Sequence, residues 1–461
     1  MSAHLRLSGF ALEMFPPAEA DWFGYDRTAQ QVGIVHFGIG AFHRAHQAWY
    51  TDLAMDAGDR DWAITGASLR SGEMAHRMNP QEGLYTVTER AEKHARTRIV
   101  GAVKDVLVAP YEPEPVIAAL AAPSTRIASL TITEKGYCRA SDGSLAADLA
   151  GEDSVYHFLG LGLRQRHDRG LPGLTLLSCD NLAGNGEQLA RLMGEYLVRH
   201  DPSLRGWFEA ECTCPSTMVD RIVPATTAMD LDRVAEALDG LRDEAAVMTE
   251  PFSQWVIEDH FAAGRPRWDL VGAELVADVR PYETAKLRML NAAHSLLAYC
   301  GLARGHTYVH EAIADPTLRA LAEQLMIAEA APTITAAPGQ DLYGYAAQLI
   351  ERFANPALNH RLGQIAMDGS QKLPQRWLET LEANRRMGRG CPAILTGLRA
   401  WLTHISGANG PVDDPLAALY ARLWQSHDRA GAIAALFGSS GPFGATWHAS
   451  EADLAALGSD A

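Results

Sequence analysis

The sequence predicts a doubly wound, parallel α/β domain over residues 1–280, followed by an all-helical domain over residues 281–461. Three observations predict it. Short apolar runs alternate with helical stretches through the first part of the chain, the pattern of strands joined by crossover helices. A glycine turn, Gly38-Ile39-Gly40, directly follows the first of those runs. Beyond about Tyr282 the strand-like runs stop, and Ala/Leu-rich helical segments continue through Gly363.

The elements follow in order. Gln31–Phe37 (QVGIVHF) is a continuous apolar run and reads as a buried strand. Ala41–Ala57 reads as the helix after it, ended by Gly58. Asp61–Leu69 is a second strand, and Thr97–Ala109, rich in β-branched residues, a further one. Arg126–Thr133 and Leu174–Cys179 complete the buried runs. Tyr282–Leu302 reads as one largely buried helix. Ala331–Leu342 and Leu436–Trp447 carry the Pro and Gly of loops.

Charge excludes some functions. The chain has 461 residues and a formal net charge of −16. That acidic balance argues against nucleic acid or an anionic membrane surface as partner, since both select a basic field. No run of 18 apolar residues exists to span a membrane. The N-terminal stretch lacks a basic segment followed by a long apolar one, so no signal peptide is expected. Six cysteines are too sparse for a disulfide scaffold, and the lone Cys212-x-Cys214 pair makes a poor zinc site. The expectation is a cytoplasmic enzyme with reduced thiols and no cysteine-bound metal.

The glycine turn sits where a dinucleotide phosphate turn belongs. Gly38 permits the tight bend, Gly40 lets backbone approach a pyrophosphate, and the helix opening at Ala41 and Phe42 offers free N–H groups. Gly38, Ile39, Gly40, Ala41 and Phe42 are therefore the cofactor-binding candidates. The third glycine of G-x-G-x-x-G is replaced by His43, so the match to the general pattern is incomplete. After the second strand, Glu73 is the nearest carboxylate for the ribose hydroxyls of NAD, while Arg70 would suit a 2′-phosphate.

Polar residues on the apolar helix carry the strongest chemical signal. Tyr282–Leu302 is lined by Leu and Met yet contains Glu283, Lys286, Asn291 and His294. In a regular α-helix Asn291 and His294 stand about 140° and about 80° from Lys286, so the three share roughly one side. Glu283 is close enough to approach Lys286. Burial depresses a lysine pKa towards the range of a general base. Further polar groups end buried strands: Asp180-Asn181 after one, Glu134-Lys135 after another. Ligands of open α/β sheets bind at such strand ends. Asp220 adds a carboxylate after Ser216-Thr217-Met218-Val219.

Seven ordered segments carry a resemblance. They are GIGAFHRAHQ (Gly38–Gln47), LTITEKGYC (Leu130–Cys138), SCDN (Ser178–Asn181), STMVDRIVPAT (Ser216–Thr226), EPFSQWVIED (Glu250–Asp259), the K-x4-N-x2-H helix from Lys286 to His294, and MDGSQKLPQR (Met367–Arg376). With these the chain resembles the polyol-specific long-chain dehydrogenase/reductase (mannitol dehydrogenase) family, whose own turn places His where the third glycine would stand. The resemblance implies a Rossmann-type NAD-binding domain joined to a helical domain, and metal-independent hydride transfer. It implies Lys286 as general acid/base, Asn291 with Asn181 as the oxyanion-stabilising pair, and His294 orienting the substrate oxygens. Glu283 would tune or relay the proton, and Asp220 and Lys372 would contact substrate. Glu134 would lie with the cofactor.

Within the family, Glu134-Lys135-Gly136, Ser216-Thr217-Met218 and the run Gln371–Arg376 are similar to the fructuronate reductase (mannonate oxidoreductase) branch. Gln364 stands where the mannitol branch tends to have arginine. The resemblance implies reduction of D-fructuronate to D-mannonate, with mannitol 2-dehydrogenase, a related polyol dehydrogenase or tagaturonate reductase as alternatives. A substrate carboxylate needs a cation, and Arg361, Lys372, Arg376 and Lys135 are the candidates. The family implies a monomer or weak homo-oligomer.

Overall fold

The computed structural model describes residues 5–91 and 94–458. The chain divides into two compact units, Met1–Val279 and Arg280–Ala461.

The first unit is built on a five-stranded sheet: β1 (Val32–Phe37), β2 (Ala63–Ser68), β3 (Val103–Val108), β4 (Ile127–Leu130) and β5 (Thr175–Ser178). Its order is β3-β2-β1-β4-β5 and every neighbouring pair is parallel. This is the strand order of a Rossmann-type sheet, which reverses direction of growth between β1 and β4. The central strands are buried along nearly their whole length, so they read as continuous apolar runs rather than alternating ones.

Two departures from the sequence reading have local causes. The run Thr97–Ala109 is two strands, Ala95–Val100 and Val103–Val108, in different sheets. The chain bends at Gly101, whose N–H donates to buried Asp52 Oδ1 at 2.8 Å and against which the Phe23 ring packs. A Cβ at Gly101 would meet that ring at 2.6 Å. The expected helix Ala41–Ala57 is also broken. It is α1 (Ala41–Ala45) and α2 (Gln47–Asp56), separated at His46, which has φ −125° and ψ −95°. Arg221 Nη1 donates to the carbonyl of Ala45 at 2.5 Å, capping the short helix.

Two smaller sheets complete the unit. One joins Asp21–Trp22, Ala95–Val100, Tyr85–Arg90 and Val247–Thr249; the other joins Glu274–Val276, Gln254–Glu258 and Thr217–Asp220.

The second unit is helical among its described residues. Its first element runs α3 (Arg280–Ala285), a π-helical turn (Lys286–Asn291), then α4 (Ala292–Ala303). α4 is almost wholly buried by Leu296, Leu297, Tyr299 and their neighbours. The sequence reading of one regular α-helix is corrected here: the segment carrying Lys286 and Asn291 bonds i→i+5. Two further π-helical turns, Leu325–Ala330 and Pro374–Leu378, pack against it. No helix among the described residues is long and apolar enough to cross a membrane.

Candidate active site

In the first unit the strand ends surround a cavity of about 1380 Å³. Gly38, Ile39, Gly40, Glu73 and Glu134 all line it. Ala41 and Phe42 follow in the first turn of α1 and are half-buried. Gly38 has φ +98°, and a Cβ there would stand 2.1 Å from the Thr131 carbonyl oxygen. Only glycine fits. Gly40 has no atom nearer its Cβ position than the Gly38 oxygen at 3.9 Å, so its face is open to the cavity. The glycine cradle and the volume fit an extended dinucleotide. Because α1 has five residues, the phosphate end would be met by first-turn N–H groups rather than by the dipole of a long helix.

His43 explains the missing third glycine. Its ring lies flat on that of His36 in β1, with centroids 3.4 Å apart and planes at 12°. A planar imidazole thus fills the helix–strand contact that a glycine otherwise leaves bare. His36 Nδ1 meets Ser129 Oγ at 2.8 Å and its Nε2 meets Thr131 Oγ1 at 2.9 Å. Ser129 in turn donates to Gln47 Oε1 at 2.9 Å. Burial lowers the His36 pKa to about 3 and takes that of His43 well below its ordinary value, so both rings are neutral at pH 7.

Glu73 is exposed and pairs with Arg77 one helical turn on. Arg70 also lines the cavity. Glu134 is held indirectly by Asp180. The Asp180 carboxylate accepts from the Ile132 and Thr133 N–H groups at 3.0 and 2.9 Å and from the Tyr137 hydroxyl at 2.9 Å. It ties the end of β5 to the loop after β4, where Thr133 sits at φ +63°. Asn181 follows Asp180 and is exposed. Asn185 Nδ2 donates to the carbonyls of Asp180 and Thr217 at 3.0 and 2.9 Å. This stitches the end of β5 to the strand Thr217–Asp220, whose last residue, Asp220, is buried.

The second unit carries the other candidates. In an i→i+5 turn, residue i+5 returns over residue i. Lys286 and Asn291 therefore stand closer together than the about 140° of a regular α-helix, which keeps the expected shared side and corrects the angle. Lys286 and Glu283 are half-buried, so the expectation of a largely buried lysine is also corrected. His294 follows at i+3 from Asn291, its ring against Phe353 (4.7 Å) and His360 (5.2 Å). Burial, then His360, Arg352 and Arg376, hold its pKa well below the ordinary histidine value. His294 is therefore a neutral ring at pH 7.

Arg361 is exposed, its guanidinium 5.4 Å from the Tyr308 ring centre. Lys372 Nζ donates to the Met367 carbonyl at 2.6 Å and lies 3.9 Å from Asp368. Arg376 is not a free cation for substrate: Nη1 donates to the Asn291 carbonyl at 3.2 Å and to Ser295 Oγ at 2.9 Å. Sequence reasoning missed Arg352 and His360. The available signal was a buried arginine in an otherwise amphipathic helix, Leu342–Phe353. Among the described residues no group of three or more His, Cys, Asp or Glu could hold a metal ion.

Comparison with known proteins places this architecture. Residues 32–270 match the mannitol dehydrogenase Rossmann domain and residues 278–438 the mannitol dehydrogenase C-terminal domain. The D-mannonate oxidoreductase of Escherichia coli (strain K12) is 40% identical over 448 residues, covering 93% of this chain and 91% of that protein. The crystal structure of a D-sorbitol dehydrogenase in substrate-free form superposes with a TM-score of 0.90 at 32% identity, covering 98% of this chain and 96% of that one. The ternary complex of Pseudomonas fluorescens mannitol 2-dehydrogenase with NAD and D-mannitol does so with a TM-score of 0.79 at 34% identity, covering 98% and 95%.

Proposed function

The chain belongs to the mannitol dehydrogenase family, and we propose that it is an NAD-dependent oxidoreductase that reversibly reduces a keto sugar acid, D-fructuronate, to D-mannonate. The observation that carries the acid substrate is a pair of cations in the second unit, the exposed guanidinium of Arg361 and the half-buried ammonium of Lys372. Such a field favours a substrate carboxylate over a neutral polyol. The 40% identity to a D-mannonate oxidoreductase supports the same reading.

NADH, when bound in the cavity behind Gly38 and Gly40, supplies the hydride that reaches the ketone carbon. The chain's own residues do the rest. As negative charge grows on the carbonyl oxygen, the Asn291 amide, with that of Asn181, donates hydrogen bonds to it. The Lys286 ammonium gives that oxygen its proton, leaving the hydroxyl and a neutral amine. In the oxidising direction neutral Lys286 takes the hydroxyl proton. Glu283, one turn before, tunes or relays that proton. Neutral His294 orients the substrate hydroxyls, and Asp220, Arg361 and Lys372 contact the remainder of the sugar. The enzyme works in the cytoplasm without a metal, as a monomer or weak homo-oligomer.

A substrate panel read by NADH absorbance tests the reading: fructuronate, tagaturonate and fructose for reduction, mannonate and mannitol for oxidation. Fructuronate should give the highest kcat/KM. Faster turnover of fructose than of either uronate overturns the sugar-acid assignment in favour of mannitol oxidation. Faster turnover of tagaturonate keeps the class and changes the epimer.

A further inference from the structure

The wide turn that carries Lys286 and Asn291 is not what its own sequence favours. KLRMLN contains no proline or glycine, the usual local causes of irregular helix geometry. Its form therefore rests on what packs against it. Two side-chain donors reach its C-terminal end. Arg376 Nη1 reaches the carbonyl of Asn291, the last residue of the turn, and Trp377 Nε1 reaches that of Ala292, the first of α4, at 3.1 Å.

These donors are themselves placed by a second irregular turn. Pro374 opens the π-helical turn Pro374–Leu378, where its missing N–H and ring clash forbid an ordinary α-turn. The Trp377 indole then packs against Gly397, where a Cβ would meet the ring at 2.9 Å, and lies 6.0 Å from the Tyr299 ring.

We propose that Arg376 and Trp377 are positioning residues of the reaction, which hold the Lys286–Asn291 turn open so that ammonium and amide stand on one side of the helix. Without them the segment closes to a regular α-helix and Asn291 rotates away from Lys286. The inference rests on the roles given above to Lys286 and Asn291. It assigns Arg376 to the backbone of the site and not to the substrate carboxylate.

The test uses the full-length enzyme with whichever panel substrate it turns over best. Trp377→Phe keeps the ring and removes one donor; kcat should fall about 10-fold, the loss of one hydrogen bond expressed in the transition state, with KM for the sugar and the NADH dissociation constant within about twofold. Arg376→Ala should lower kcat by about 100-fold, and Arg376→Lys, which keeps a donor, should recover most of it. In a Lys286→Ala background the Trp377→Phe change should add almost nothing, because the group it positions is gone. Circular dichroism and Tm show which variants fold; if Arg376→Ala does not, Trp377→Phe and Arg376→Lys carry the test. Unchanged kcat in folded Trp377→Phe and Arg376 variants overturns the proposal. So does a rise in KM confined to uronates at constant kcat, which makes Arg376 a carboxylate ligand. Full activity in Lys286→Ala alone is a different failure, that of the underlying catalytic assignment.

Discussion

The imidazole of His43 lies flat on that of His36, with ring centroids 3.4 Å apart, directly beneath the glycine turn. The two rings stay neutral because burial makes a proton on either costly. The unfolded chain pays no such penalty and protonates its histidines near pH 6.5.

Stability of the first unit should therefore fall with acid. Above about pH 6.5 neither state binds these protons and the contribution is level. As pH drops below that value the unfolded state takes up protons that the folded state refuses, and stability falls until the folded-state pKa is reached, about 3 for His36. Each histidine contributes a slope of about 1.4 kcal/mol per pH unit in that window. His43→Phe keeps a flat ring and removes one titration. Urea unfolding between pH 5 and 6.5 should show a shallower pH dependence in the variant; an unchanged slope counts against the buried neutral pair.

The two turn glycines should separate in their effects. Gly38→Ala forces a side chain into positive φ and onto the Thr131 carbonyl, so it should cost more than about 1 kcal/mol of stability and abolish NADH binding. Gly40→Ala meets no atom within 3.8 Å of its Cβ; its single close neighbour stands at 3.9 Å. Its Tm should match the parent while NADH affinity falls, because the new methyl faces the cofactor's path. Fluorescence titration with NADH, paired with thermal melts, distinguishes the two.

Lys286→Ala should lower kcat by about 10³-fold or more, the usual scale for removing a general acid/base. NADH binding should persist, since the cavity residues all lie in the first unit. Stopped-flow absorbance for turnover and a fluorescence titration for binding check both halves of the statement.

Asp180→Ala should loosen the start of the short helix Thr133–Gly136 that carries Glu134. It strands the N–H groups of Ile132 and Thr133 and the Tyr137 hydroxyl, a loss of about 2–4 kcal/mol. The KM for NADH should rise more than that for the sugar. A rise confined to the sugar would place this segment with the substrate instead.

The candidate residues stood out in the sequence because each sits in a pattern with a local reason. Gly38 and Gly40 end an apolar run where a turn must form. Lys286, Asn291 and His294 interrupt an otherwise apolar helix, and polar residues that interrupt an apolar face at helical spacing stand out. The smaller sheets were less legible. Their strands include Tyr85–Arg90 and Gln254–Glu258, half-polar segments without a long apolar run.

By itself the sequence determined a parallel sheet with a glycine turn, an all-helical second part, and which side chains are the candidates for chemistry. Those depend on periodicity and turn stereochemistry, which act within a few residues. Only the tertiary structure decided that His43 has a stacking partner, that the run after Thr97 divides at Gly101, and that the helix opens between Lys286 and Asn291. The last shows the reason most plainly. Helical periodicity assumes a regular ladder set by neighbours along the chain, whereas this turn packs against Pro374–Leu378, whose Arg376 reaches the carbonyl of Asn291 from 85 residues away. A donor that distant in sequence becomes a neighbour only after packing, so the angle between Lys286 and Asn291 belongs to the fold.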